Sequence, residues 1–120
     1  MLPAKLDFTI YKGSTQSKPM QWKSGDPLLP VDITGCSIQM QIRESVDSTE
    51  VLDTLTTANS RITVDSAVNG QFTLHFPATV TSLMTKQYAV YDLEVVYPGS
   101  NPQYTILYGK INYVSEVTRL

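Results

Sequence analysis

Polar and apolar residues alternate along most of this chain, and the alternation has period two. Ser37 to Arg43 reads Ser-Ile-Gln-Met-Gln-Ile-Arg, with Ile38, Met40 and Ile42 to one side and Gln39, Gln41 and Arg43 to the other. Successive side chains of an extended backbone point to opposite faces, so this pattern predicts a strand with one buried face. Gln71 to Phe76 repeats it, with Phe72, Leu74 and Phe76 inward. Shorter strands are predicted at Thr49 to Leu55 and at Arg61 to Val64. The second of these is joined to the Phe72 strand through Asp65-Ser66-Ala67-Val68-Asn69-Gly70, whose Asn-Gly pair tolerates the positive φ of a tight turn. Gln87 to Tyr97 is a long β-rich run in which Tyr91, Leu93 and Val95 oppose Asp92 and Glu94. Tyr104 to Val117 reads as its hairpin partner across the turn-rich Pro98-Gly99-Ser100-Asn101-Pro102. Gly109 inside that last strand predicts a bulge or a close backbone approach.

The front of the chain offers Leu6 to Tyr11 and Pro19 to Lys23 as strands around Gly13-Ser14-Thr15. A short helix is predicted only over Ala78 to Thr85, after Pro77. About seven or eight short strands with one helical turn make an all-β, immunoglobulin-like antiparallel β-sandwich, in a single domain over residues 1–120. The helical crossing before a Tyr-containing penultimate strand makes Tyr88 or Tyr91 a candidate tyrosine corner, its hydroxyl bonded back to the crossing, unless both merely pack. Trp22 is expected in the core or at its rim.

Composition narrows the chemistry. Nine Lys+Arg against eleven Asp+Glu leave a net charge of −2, and the cations are spread from Lys5 to Arg119, which argues against nucleic-acid binding. The first residues lack the apolar run of a signal peptide, and no stretch approaches the ~18 apolar residues of a bilayer span, so no membrane role is expected. A single Cys excludes an internal disulfide, and a single His excludes the His-rich metal sites. His75 lies on the polar face of its strand and reads as a surface residue; Cys36 reads as a small hydrophobe. Asp92 and Glu94 share a strand face at i, i+2, where a solvated face is far commoner than an acid–base pair. Asp47, Asp65 and Asn69 lie in loops but lack the spacing of a calcium loop, and no glycine-rich phosphate cradle occurs. The chain is expected to be no enzyme and to use no metal or cofactor.

Tyrosine is the one surplus, with seven among 120 residues. Tyr97, Tyr104, Tyr108 and Tyr113 fall on or near the last hairpin, on both of its faces, and are the candidate interface residues. A ring adds contact area at low entropic cost, and its hydroxyl tolerates a wet rim.

With these residues placed, the chain resembles the small all-β proteins of bacteriophage and prophage structural gene clusters. It is similar to the N-terminal domain of phage baseplate upper proteins. The resemblance is carried by Tyr91-Asp92-Leu93-Glu94-Val95, Leu107-Tyr108-Gly109-Lys110-Ile111 and the closing Val117-Thr118-Arg119. Val31-Asp32-Ile33-Thr34-Gly35 before the Ser37 strand, and Gly13-Ser14-Thr15 followed by Trp22, support it. It implies an immunoglobulin-like sandwich and a non-enzymatic virion or assembly role, tail- or baseplate-associated. Its partners would be copies of itself, as a homo-oligomer, or other phage proteins. Made in the host cytoplasm, such a protein would reside in the virion. Baseplate upper proteins continue into long extensions that hold receptor-binding parts, whereas this chain stops at Leu120, which fits a small adaptor, decoration or assembly protein. The alternative is a module that binds carbohydrate or the host surface through Trp22 or exposed tyrosines, with an acid such as Asp26 on the sugar hydroxyls.

Overall fold

The computed structural model describes residues 3–99 and 102–118. Ser100, Asn101 and Arg119, named above in the hairpin loop and the closing segment, lie outside the described residues. In chain order the strands are β1 (Ala4–Lys5), β2 (Phe8–Tyr11), β3 (Gln16–Gln21), β4 (Lys23–Ser24), β5 (Leu29–Pro30) and β6 (Ser37–Arg43). They continue with β7 (Asp53–Thr56), β8 (Ile62–Ser66), β9 (Gln71–Phe76), the helical turn α1 (Ala78–Thr81), β10 (Tyr88–Val96) and β11 (Gln103–Val114).

The larger sheet runs β1-β11-β10-β6-β7, with β2 also paired to β11. The smaller runs β3-β9-β8, and β4 and β5 form a separate two-stranded hairpin. Placing β3-β9-β8 against β11-β10-β6-β7, with a helical crossing from β9 to β10, gives the strand order of an immunoglobulin-like sandwich. The count exceeds the expected seven or eight because short edge pieces separate from the strands they were expected to extend. Leu6 to Tyr11 thus shortens to β2, with the unpredicted β1 set apart before Leu6-Asp7, and Pro19 to Lys23 gives way to β3 and β4. The pairing is also not wholly antiparallel, since β1 and β2 both run parallel to β11.

The core follows from register. Ile38, Met40 and Ile42 of β6 face Val95, Leu93 and Tyr91 of β10, while Gln39 and Gln41 pair with Glu94 and Asp92 on the outer face. Phe72, Leu74 and Phe76 close the core from β9, and Ile10, Ile33, Leu55, Ile62 and Ile111 complete it. Because the side-chain period is two, a one-residue slip in β6 or β9 would turn three buried side chains into water, and this holds the register.

The crossing after β9 is fixed by a residue that the hydrophobic pattern passes over. Thr81, buried at the end of α1, donates its hydroxyl to the Ser14 carbonyl at 3.1 Å and accepts from the Gly13 N–H at 3.1 Å. Thr15 Oγ1 accepts from the Ala78 N–H at 3.0 Å. The crossing is thereby stitched to the β2–β3 turn, where Gly13 takes a φ of 78° that side chains disfavour.

Candidate interaction surface

The side of the sandwich where β1 meets the smaller sheet is built around Gly109. A β-carbon on Gly109 would collide with the backbone carbonyl of Leu6, so only glycine lets the first strand lie this close to β11. Gly109 is therefore a close approach, and the bulge lies three residues earlier. Leu93 pairs with Leu107 but Glu94 with Thr105, which leaves Ile106 as the extra residue. Leu6 donates its N–H to the Tyr108 carbonyl at 2.8 Å. Its own carbonyl accepts the buried Tyr91 hydroxyl at 2.6 Å. Asp7 Oδ1 then accepts the Lys110 N–H at 2.8 Å, satisfying the donor left over where the strand breaks. Burial first, and the Asp7 charge second, hold the Tyr91 phenol protonated far above its ordinary range. Tyr91 is therefore not the expected tyrosine corner: its hydroxyl ties down the first strand and not the helical crossing, and Tyr88 is exposed.

Beside β1 opens a groove of about 660 Å³. Trp22, Phe72, Ile106 and Leu107 form its floor, Met20 and Leu6 its walls, and Leu28 of the β4–β5 hairpin its lip. Trp22 is only 7% exposed and packs against Tyr104, ring centroids 6.2 Å apart. The hairpin pairs Lys23 with Pro30 and Ser24 with Leu29, and it carries its leucines outward, with Leu28 65% and Leu29 61% exposed. Two adjacent exposed leucines beside an apolar groove form the kind of patch that marks a contact site. They belong to no periodic pattern, sitting between Pro27 and Pro30, and so escape a reading by periodicity. Their proline-bounded position was the available signal.

The four candidate tyrosines do not form one patch. Tyr104 pairs with inward Val95 and Tyr108 with outward Asp92. Residues four apart share a face in a regular strand, but the bulge at Ile106 turns these two to opposite faces. Tyr97 meets Tyr104 edge to face at 6.0 Å and donates to the Asp32 carbonyl at 3.0 Å, so both stand near Trp22 at one end of the core. Tyr113 is 2% exposed and belongs to the core, which removes it from any contact surface of the folded chain. Its place in the Tyr cluster came from sequence proximity alone. Desolvation likewise pushes the Tyr97 and Tyr113 phenols upward.

Tyr108 faces a second, more polar groove of about 480 Å³ on the outer face of the larger sheet, shared with Lys5, Arg43, Lys110, Asp92 and Glu94. Glu94 accepts the Gln39 amide at 2.9 Å and also the Gln103 amide, which fixes it as an acceptor. Desolvation, then the Glu94 charge, raises the Asp92 pKa, and Arg43 opposes this. The pair shares a face as expected, but each carboxylate sits among amides and cations of a solvated sheet.

The other single residues are placed by their hydrogen bonds. His75 bridges two hydroxyls, Ser17 Oγ at 3.1 Å and Thr63 Oγ1 at 2.8 Å, on the outer face of the smaller sheet. Partial burial, then the Asp32 charge, raises the Cys36 pKa and keeps the thiol protonated. Asp32 itself is lowered by the Thr34 hydroxyl and N–H that it accepts. Asp65 accepts from Thr73, and Asn69 donates to Ser66 at 3.0 Å. Among the described residues no three of His, Cys, Asp and Glu gather as metal ligands, and no helix is long and apolar enough to cross a membrane. Trp22 lies too deep to serve as the exposed platform of a sugar site, which leaves that alternative to the exposed tyrosines.

None of the curated proteins compared matches the chain. The family model described as LtfC-like, β-sandwich domain matches residues 2–114. That match takes in both sheets, the groove and the tied first strand, and the chain belongs to the LtfC-like β-sandwich domain family.

Proposed function

We propose that this protein is a non-enzymatic structural component of a phage or prophage particle, tail- or baseplate-associated, that acts through protein–protein contacts. Membership in the LtfC-like family is consistent with a phage-associated structural role and supports this reading. The observation that carries the contact role is the apolar groove beside β1, with Trp22 on its floor, Leu28 exposed at its lip and Leu29 exposed next to Leu28 in the hairpin. A domain with no such need would gain solubility by placing polar residues there. Its chemistry fits as well: beside the second groove Glu94 is engaged as an acceptor and Arg43 as a donor, and His75 spends both ring nitrogens on the Ser17 and Thr63 hydroxyls, which leaves neither for an orienting carboxylate.

Mass spectrometry of purified particles, with copy number set against the capsid protein, tests the proposal. Stoichiometric, symmetry-related copies are expected. Absence from clean particles, with abundance in the lysate, would overturn the virion role.

A further inference from the structure

We propose that the groove beside β1 receives an extended segment of another protein, apolar at alternate positions and acidic between them, which pairs with β1 as an added strand. This rests on the contact role proposed above and names what the contact is.

Three observations carry it. First, β1 is an edge with backbone groups to offer. Leu6 directs its N–H to the Tyr108 carbonyl of β11, so the alternate residue, Lys5, turns its own N–H and C=O to the free side. Across the groove β3 pairs only with β9 among the described residues, but Pro19, which has no N–H to give, interrupts its other edge. Pairing therefore falls to β1. Second, the groove is apolar where a strand's alternate side chains would enter it, over Trp22, Met20, Phe72 and Ile106. A strand added to a sheet edge draws affinity from its main chain and selectivity from such pockets. Third, the charged residues lining the groove are Lys5 and Lys23, both cationic and both exposed. Asp26 at the hairpin tip does not line it, and Asp7 is held by the Lys110 N–H. In a chain of net charge −2 this is a local excess of positive charge, complementary to an acidic segment.

The test uses the full chain, labelled for NMR, and two blocked ten-residue peptides, one alternating valine with glutamate and one alternating valine with lysine. The glutamate peptide should shift the amides of Lys5, Leu6 and Ser24 and the Trp22 indole. It should bind about fivefold or more tightly than the lysine peptide, the worth of two exposed ion pairs. A Lys5→Gln/Lys23→Gln double variant, with both positions exposed and melting unchanged, should erase that preference. No shifts, shifts confined to β7 and β8, or equal binding of both peptides to the unaltered chain would overturn the proposal. So would a concentration-dependent dimer with the same shifts, which would make the occupant a second copy. Particle mass spectrometry reads the virion role separately. Peptide binding by a chain absent from particles would keep the groove and remove that role, and abundant copies without peptide binding would do the reverse.

Discussion

The sandwich has two open sides, and they are closed by different means. At β7 and β8, Arg61 reaches across with both terminal guanidinium nitrogens to the Asp53 carboxylate, at 3.1 and 2.7 Å, and its Nε donates to the His75 carbonyl at 2.9 Å. The two side chains are only 16% and 10% exposed. The turn between the strands is held by Asn59, whose Oδ1 accepts from the N–H groups of Thr56 at 2.9 Å and Arg61 at 3.0 Å. At β1, by contrast, a two-residue strand is held by backbone contact over Gly109 and by one phenol, and the neighbouring leucines face water. The β7 and β8 side ends in sheet edges too, but a nearly buried ion pair and a side-chain-held turn tie its two edges to each other. A side held by one close approach, with apolar surface left over, is poised for a partner.

The largest expected effect lies on the closed side. Arg61→Ala leaves the nearly buried Asp53 carboxylate without its partner and should cost about 3 kcal/mol in denaturant unfolding. A cost under about 1 kcal/mol would mean that the ion pair does not close that side. Next, Gly109→Ala should cost about 2–3 kcal/mol through collision with the Leu6 backbone. In hydrogen exchange its signature should be local, with Leu6 and Lys110 losing protection and Leu93 keeping it. Global loss would show that β1 is integral to the core and not a separately held edge. Tyr91→Phe removes the hydroxyl and leaves the Leu6 carbonyl unpaired, which should cost about 1 kcal/mol with the same local pattern.

The smallest effect serves as a control on the outer face. Burial and Glu94 raise the folded-state pKa of Asp92, so its ionised form is the disfavoured one. Its favourable contribution is present below the ordinary aspartate value of about 3.9 and fades as pH rises through the raised one. Asp92→Asn should therefore match the parent in acid and gain less than about 0.5 kcal/mol at pH 7, because the group is solvent-screened. Thermal melts across that pH range would read it, and a loss at pH 7 would contradict the assigned sign.

The sandwich was legible because its central strands obey period two without interruption. β6 and β9 fall on the residues that the alternation marks, Ser37 to Arg43 and Gln71 to Phe76. Elsewhere a local device broke the period. Thr49 to Leu55 shrinks to Asp53–Thr56, and Tyr104 to Val117 carries a bulge that no glycine announces. One inserted residue at Ile106 separates Tyr104 from Tyr108, and this is why a cluster assembled by sequence distance came apart. Gly109 was legible as a close approach, but not what approached it, since Leu6 lies 103 residues away. Thr81 and the Leu28–Leu29 pair left no periodic trace, because one acts through a hydroxyl and the other sits between prolines. The contact surface was thus legible in kind, as aromatic and apolar excess, and not in place.

The most direct test of the account is amide hydrogen exchange on the chain in assembled particles against the chain alone. Protection gained over residues 4–8 and 16–30, with 53–66 unchanged, is the predicted result. Protection gained instead over 53–66, with the β1 side exchanging as in the free chain, would contradict it.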